Sequence, residues 1–125
     1  MSVLVDSSVW IDYFRSGRTA ESLEFLIEQN LVLTNDLILS ELLPALTIQK
    51  QNRLVVLLRQ LAKNPVRIDW ENIIRLQTTC LRHGINKVGI PDLIIAQHVL
   101  QYDLRLLTHD KHFALLARHF RLLLY

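Results

Sequence analysis

The chain has 125 residues, of which half are hydrophobic and only three are glycine, and its net charge is +2 at pH 7. A chain of this length and composition folds as one globular domain, residues 1–125, which excludes a disordered or low-complexity protein. No apolar run approaches the roughly 18–20 residues of a membrane span, and the N-terminus lacks the basic segment of a secretory signal. The one cysteine, Cys80, has no disulfide partner within the chain. We therefore expect a cytoplasmic protein with no membrane segment.

Short apolar runs alternate with helical patterns in the first half of the chain. We predict a strand at 3–5, a helix at 8–15 ended by Gly17, a helix capped by Thr19, a strand at 31–34, and a helix capped by Asn35 or Asp36. Pro44 is expected to break or kink that last helix, because proline removes a donor and clashes with the preceding turn.

The alternation continues in the second half. We predict a helix at 51–63, an edge strand at 65–68, a helix at 70–83 capped by Asp69, a helix from Pro91, a strand at 104–107, a short helix to 117 and a strand at 120–125. The predicted buried face of the 70–83 helix is Trp70, Ile73, Ile74, Gln77 and Leu81, with Cys80 beside it. This order of elements predicts an α/β fold with a parallel sheet between helices.

Four carboxylates lie in apolar surroundings without a basic residue at a neutralising helical position. They are Asp6, Glu41, Asp92 and Asp110. A carboxylate on an apolar element is costly unless it is solvated, paired or bound to metal. Asp6 directly follows the first predicted strand, where open α/β sheets place their ligand sites. These positions predict one acidic pocket at the carboxyl ends of the strands.

Each carboxylate taken alone has a simpler explanation. Asp6 is compatible with a helix cap, Asp92 and Asp110 with helix N-termini favoured by the macrodipole, and Glu41 with a side chain that points to solvent. If all four converge, however, their mutual repulsion requires a bound cation or retained protons. Oxygen ligands of this kind select Mg²⁺ or Mn²⁺.

The segments around these acids resemble the PIN-domain ribonucleases, specifically the VapC-type toxins of toxin–antitoxin modules. The matching segments are VDSSVWI at 5–11, SEL at 40–42, GIPDLIIA at 89–96 and LTHDKHF at 107–113. The resemblance implies a three-layer α/β/α sandwich with a five-stranded parallel sheet in the order 3-2-1-4-5. It also places the three core acidic positions of the family on Asp6, Glu41 and Asp92, and the more variable fourth on Asp110.

The function expected from this resemblance is Mg²⁺- or Mn²⁺-dependent hydrolysis of RNA phosphodiester bonds by an endoribonuclease. Asp6, Glu41, Asp92 and Asp110 would bind the metal, and the Ser7 and Thr108 hydroxyls would orient the carboxylates. The candidate contacts to RNA phosphates are Lys87, Arg15, Arg18 and Lys111. Surface cations without a ligand are the alternative for each of them.

The resemblance also implies a homodimer and an antitoxin partner. The leucine-rich stretches 37–48 and 51–63 agree with this, since exposed apolar patches mark interfaces. Two alternatives remain open from the sequence, a non-catalytic PIN-like binding module and a receiver-like signalling domain. His109 and His112 flank Asp110, and we favour exposed or capping roles for them over a transition-metal site.

Overall fold

A computed structural model describes residues 2–16 and 20–125 of the chain. The elements, in chain order, are β1 (Val3–Val5), α1 (Ser7–Ser16), α2 (Ala20–Glu28), β2 (Val32–Thr34), α3 (Asp36–Ile48), α4 (Asn52–Arg59), β3 (Ala62–Lys63), α5 (Trp70–Arg82), α6 (Ile90–Gln101), β4 (Arg105–Leu107), α7 (Lys111–His119) and β5 (Leu123–Leu124). The predicted roles of Gly17, Arg18 and Thr19 fall outside the described residues.

The five strands form one parallel sheet in the order β3-β2-β1-β4-β5. In its register Leu4 pairs with Leu33 on one side and with Leu106 on the other. Helix α3 contacts both α1 and α4, and helix α6 contacts both α5 and α7. The predicted three-layer α/β/α fold and strand order are confirmed. The receiver-like alternative is wrong, because sheets of that class have the order 2-1-3-4-5.

Strand β1 lies at the centre of the sheet, and its three residues are fully buried. β-branched residues and leucine suit such a strand, since both of its faces pack against helices. The first residue after it is Asp6, whose backbone N–H donates to the carbonyl of Leu107 at 2.9 Å. The loops after β1 and β4 therefore begin side by side at one edge of the sheet.

Helix α6 is buried almost all round, as its continuous apolar sequence predicts. Every residue from Leu93 to Val99 is buried, including Gln97 and His98. This helix holds Asp92 in its first turn, so the position of that carboxylate is set by the core. Within residues 2–16 and 20–125, no helix has the length and apolarity that a membrane crossing requires.

The predicted strand at 65–68 is wrong, because β3 comprises only Ala62–Lys63 and pairs with Leu33 and Thr34. Pro65 cannot donate to a ladder. The carbonyls of this stretch instead accept hydrogen bonds from side chains at the end of α6. Tyr102 Oη donates to Pro65 O at 3.0 Å, and Gln101 Nε2 donates to Arg67 O at 2.9 Å.

The structure also corrects the break considered at Pro44 and the predicted end of α4. Helix α3 is not broken at Pro44 and continues to Ile48. Pro44 leaves the carbonyl of Ser40 without its helical donor, but both residues are exposed, so water can hydrate that oxygen. Helix α4 ends at Arg59, four residues earlier than predicted, because the chain turns there into β3.

The predicted buried face of α5 is confirmed at Ile73 and at the adjacent Cys80, but it is wrong at three other positions. Ile73, Leu76 and Cys80 are buried. Trp70, Ile74 and Leu81, which we predicted to be buried, are each more than half exposed. Both stripes have helical spacing, so periodicity alone does not decide which of them faces the sheet.

Candidate active site

Hydroxyl groups fix the carboxylate of Asp6, which is 6% exposed. Ser8 Oγ donates to Asp6 Oδ2 at 2.7 Å, and Thr108 Oγ1 donates to the same oxygen at 3.0 Å. Thr108 Oγ1 also accepts from the backbone N–H of Asp110, and Ser8 Oγ accepts from the backbone N–H of His109, both at 3.0 Å. The loops after β1 and β4 are therefore joined through one carboxylate and two hydroxyls.

Asp92 and Asp110 meet beside this pair of loops. Asp92 Oδ2 accepts from the backbone N–H of Gly89 at 3.4 Å, and Asp110 Oδ1 accepts from the backbone N–H of His112 at 2.9 Å. His112 Nδ1 lies 3.3 Å from Asp110 Oδ1 and 3.8 Å from Asp92 Oδ2. One ligand atom from each of Asp92, Asp110 and His112 lies within 4.8 Å of the other two.

Glu41 reaches the pocket from α3. Ser7 Oγ donates to Glu41 Oε1 at 3.4 Å. Burial raises the pKa of Glu41, and the charges of Asp6 and Asp92 raise it further, against the opposing effect of the Ser7 hydrogen bond. The carboxylate of Glu41 therefore lies within electrostatic range of Asp6 and Asp92.

The pKa of Asp92 is also raised, first by burial and then by the charge of Asp110, with a smaller contribution from Asp6. The Gly89 hydrogen bond and the His112 side chain oppose this rise. A carboxylate with a raised pKa is one whose charge the protein disfavours when no cation is present. The pocket therefore gains from any ligand that supplies positive charge.

The structure thus brings the four predicted carboxylates into one region, but not into one cluster. Asp92 and Asp110 share a group of possible ligand atoms with His112, whereas Asp6 and Glu41 interact with that group through charge and are not members of it. Carboxylate oxygens with one imidazole nitrogen are a donor set that fits a divalent cation. The residues present fit the metal that the sequence predicts.

The basic residues that we predicted to contact RNA do not form one group. Arg15, Lys87 and Lys111 are exposed, and Arg18 lies outside the described residues. Arg15 lines a cleft of about 260 Å³ together with Glu41. Lys87 lies in the loop that leads into α6, and Lys111 is the first residue of α7.

The sequence analysis missed two residues of this region. We considered Ser8 only as a helix cap, yet its hydroxyl makes the shorter of the two bonds to Asp6 Oδ2. We expected His112 to be exposed or capping, yet its imidazole faces Asp92 and Asp110. The signal for His112 was its place two residues after Asp110 in the first turn of a helix. His109, by contrast, contacts Asp12 through Nδ1.

Two apolar surfaces lie outside the acidic pocket. The first, which we call the α1–α4 cleft, has a volume of about 300 Å³. It is lined by Trp10, Tyr13, Phe14, Ile27, Leu54, Leu57, Leu58 and Leu61. The second, the α5 stripe, is formed by Trp70, Ile74, Leu81 and Ile90, all of them exposed. Clusters of exposed apolar side chains are typical of protein interfaces.

Comparisons with known proteins agree with the geometry. The PIN domain family matches residues 3–119. A chain of VapBC2 from Rickettsia felis, crystallised with a DNA fragment from its promoter, superposes with a TM-score of 0.78 at 20% identity, over 100% of this chain and 98% of that chain. FitAcB from Neisseria gonorrhoeae gives a TM-score of 0.75 at 21% identity, over 98% and 96%. Comparison with curated proteins gave no significant match.

A third solved structure is VapC20 of Mycobacterium tuberculosis, described as a toxin that cleaves the sarcin–ricin loop. It superposes with a TM-score of 0.63 at 15% identity, over 91% of this chain and 94% of that chain. At such identities the superpositions establish a shared fold, while the family match spans nearly the whole chain. The chain therefore belongs to the PIN-domain family, as its acidic segments indicated, and it has the fold found in VapBC complexes.

Proposed function

We propose that this chain is a divalent-metal-dependent endoribonuclease and the toxin of a type II toxin–antitoxin pair. The observation that carries the proposal is the meeting of Asp92, Asp110 and His112 within 4.8 Å, next to the charges of Asp6 and Glu41. Membership of the PIN-domain family and the likeness to VapBC structures support the same reaction class.

In this proposal Asp6, Asp92 and Asp110 hold Mg²⁺ or Mn²⁺, and Glu41 ligates the ion or positions a water. The bound ion would neutralise charge on the scissile phosphate and acidify a coordinated water. Asp6 is already oriented, since two hydroxyls hold its Oδ2. The raised pKa of Glu41 shows that its charge is disfavoured in the metal-free pocket, which agrees with a carboxylate placed beside a bound cation.

The substrate contacts are part of the same proposal. If the acidic residues of the pocket are neutralised by a cation, the remaining surface is distinctly basic. Arg15 and Glu41 line one cleft, Lys87 precedes α6, which holds Asp92, and Lys111 is the first residue of α7, which Asp110 caps. We assign these three residues, with Arg18, to RNA phosphates.

The two apolar surfaces suit the two protein partners. Phe14 lines both the α1–α4 cleft and the cleft that contains Glu41, so a partner seated in the first would reach the acidic pocket. We assign this site to the antitoxin. The α5 stripe then remains for a second copy of the chain. In an antiparallel pair of α5 helices, Glu71 in the first turn would approach Arg82 in the last turn of the other copy.

The experiment that tests the proposal is cleavage of labelled single-stranded RNA by the purified protein. We expect EDTA to abolish cleavage and Mg²⁺ or Mn²⁺ to restore it. Asp6→Asn should lower kcat/KM by more than the roughly 100-fold that removal of outer partners of metal ligands costs. Asp36→Asn is the control, because Asp36 is an exposed aspartate that pairs with Lys63 outside the pocket.

Two outcomes would contradict the proposal. Cleavage that persists in EDTA, or that survives in Asp6→Asn at the wild-type rate, excludes the assigned site. Metal-dependent RNA binding without cleavage would instead support the non-catalytic binding module considered from the sequence. Asp36→Asn should keep the wild-type activity. A loss of cleavage in Asp6→Asn is then attributed to the pocket and not to the removal of a carboxylate as such.

A further inference from the structure

His112 is the one residue of the pocket whose ligand atom is a nitrogen. Its Nδ1 lies 3.3 Å from Asp110 Oδ1 and 3.8 Å from Asp92 Oδ2, so the imidazole faces both carboxylates at once. The side chain is about one-third exposed, so part of the ring contacts solvent. A protonated imidazole would pair with these two acids, whereas a neutral one presents the lone pair of Nδ1 to a cation held between them.

The other histidines of the chain have different surroundings. His109 Nδ1 contacts Asp12, His98 is buried with its Nδ1 3.4 Å from Asn35 Nδ2, and His83 and His119 stack on each other. Within the described residues, His112 is therefore the histidine that shares a possible metal site with carboxylates. Among the described histidines, the imidazole nitrogen of His112 is therefore the candidate ligand for a metal ion in this pocket.

We propose that His112 Nδ1 is a ligand of the metal ion, and that the pocket consequently selects a first-row transition ion such as Mn²⁺ over Mg²⁺. The inference rests on the metal pocket of the proposed function and deepens it by naming the class of ion. Asp92 and Asp110 supply the oxygen ligands on either side of the imidazole.

The preference follows from ligand chemistry. Oxygen-only sites suit Mg²⁺, Ca²⁺ and Mn²⁺ alike, whereas an imidazole ligand favours first-row transition ions over Mg²⁺, with Mn²⁺ the weakest binder of that series. Mg²⁺ gives up its waters reluctantly and is commonly held by one or two carboxylates. A nitrogen ligand therefore adds affinity for Mn²⁺ that it does not add for Mg²⁺, and the difference between the two affinities measures the part played by His112.

The direct test is pulsed electron paramagnetic resonance of Mn²⁺ bound to the full chain without an affinity tag, in the absence of RNA. We expect the ¹⁴N modulation of a coordinated imidazole, and its replacement by the ¹⁵N pattern when histidine is isotopically labelled. His112→Gln should abolish the nitrogen signal. His109→Gln is the matched control and should retain the signal, since that imidazole contacts Asp12 and not the pocket.

Calorimetry with Mn²⁺ alone and Mg²⁺ alone supplies the second measurement. Because outer partners of metal ligands contribute roughly 10–100-fold in affinity, loss of a direct ligand in His112→Gln should weaken Mn²⁺ binding at least that much. The affinity for Mg²⁺ should change much less, so that the preference for Mn²⁺ over Mg²⁺ falls. His112→Ala repeats the test with a different side chain, and circular dichroism confirms that each variant is folded.

The outcomes separate this inference from the proposed function. Mn²⁺ that binds the wild-type protein without nitrogen coupling, or with equal loss of both ions in His112→Gln, overturns the inference and leaves the nuclease proposal intact. The absence of any Mn²⁺ binding overturns both. Nitrogen coupling in a protein that cleaves no RNA supports His112 as a ligand and contradicts the nuclease proposal alone.

Discussion

Helix α1 contributes to two regions of opposite character. At its start, Ser7 and Ser8 bond the carboxylates of the acidic pocket. One to two turns later, Trp10, Tyr13 and Phe14 form one wall of the α1–α4 cleft. The pocket concentrates charge that the fold disfavours, whereas the cleft leaves apolar surface that the fold does not bury. Both are costs to the isolated chain, and each indicates what the chain binds.

Substitutions in the two regions should change the free energy of unfolding in opposite directions. In the pocket, removal of the carboxylate of Glu41 or Asp92 should relieve repulsion and stabilise the metal-free protein. In the cleft, residues one position apart on α4 have opposite roles, because Leu58 is 3% exposed and Leu57 is 53% exposed. We therefore expect these substitutions in the pocket to raise stability, and substitutions in the cleft to lower stability only where the side chain is buried.

The largest effect on stability is expected at the floor of the cleft. Leu58→Ala removes a buried side chain and should lower the free energy of unfolding by about 2–5 kcal/mol. Leu57→Ala, the matched control one residue earlier, should change it by no more than about 0.5 kcal/mol. Urea denaturation followed by circular dichroism measures both. Equal losses at the two positions would show that Leu57 belongs to the core and that the cleft is not a free surface.

A smaller change of opposite sign is expected in the pocket. Asp92→Asn should raise the Tm of the metal-free protein, because the pKa of Asp92 is raised by burial and by the charge of Asp110. The same reasoning applies to Glu41→Gln, with burial and the charge of Asp6 as the causes. Differential scanning fluorimetry in EDTA measures the shift, and unchanged or lower Tm values in both variants would contradict the account.

The pH dependence of that gain has a definite sign. A carboxyl group whose folded pKa is raised binds more protons in the folded state, so it destabilises the fold above that pKa and has no effect below its unfolded value. For Asp92 the unfolded value is 3.8. The advantage of Asp92→Asn should therefore be present at pH 7 and decline as the pH falls towards 3.8. An advantage that grows on acidification would contradict the assignment of the repulsion.

The smallest effect concerns RNA binding at the rim of the pocket. In an Asp6→Asn background that does not cleave, Lys87→Ala should reduce the slope of log affinity against log salt by about 0.7, the value for one phosphate contact on a single strand. Lys50→Ala is the control, since Lys50 is exposed in the turn between α3 and α4 and lines none of the clefts described here. An unchanged slope removes Lys87 from the phosphate contacts.

The contrast between the regions also explains what the sequence could predict. The four carboxylates stood out because a charge in an apolar segment needs a reason. The parallel sheet between helices followed from the alternation of elements, and the strand order followed from the resemblance to PIN domains. On α5 the apolar pattern gave no such signal, since Trp70 and Ile74 recur at a helical spacing, as the buried Ile73 and Leu76 also do. Periodicity identifies an amphipathic helix but not which of two apolar stripes is buried.

The contact of Ser8 with Asp6 was beyond the sequence for a similar reason, whereas the resemblance to PIN domains predicted that Thr108 orients a carboxylate. Ser8 and Thr108 are 100 residues apart, and only the parallel pairing of β1 with β4 brings both hydroxyls to Asp6. The strand predicted at 65–68 is wrong for a different reason. Its carbonyls accept hydrogen bonds from Gln101 and Tyr102, which lie more than 30 residues later at the end of α6. Local propensity carries no information on such partners.

The central claim is that these acids form a pocket which holds a divalent cation. Its most direct measurement is anomalous diffraction at the manganese edge from crystals of the wild-type protein grown with Mn²⁺. We predict a peak between Asp92, Asp110 and His112, with oxygen ligands at about 2.0–2.6 Å from the ion. Ordered carboxylates at these positions without an anomalous peak, at Mn²⁺ concentrations that support RNA cleavage, would contradict the claim.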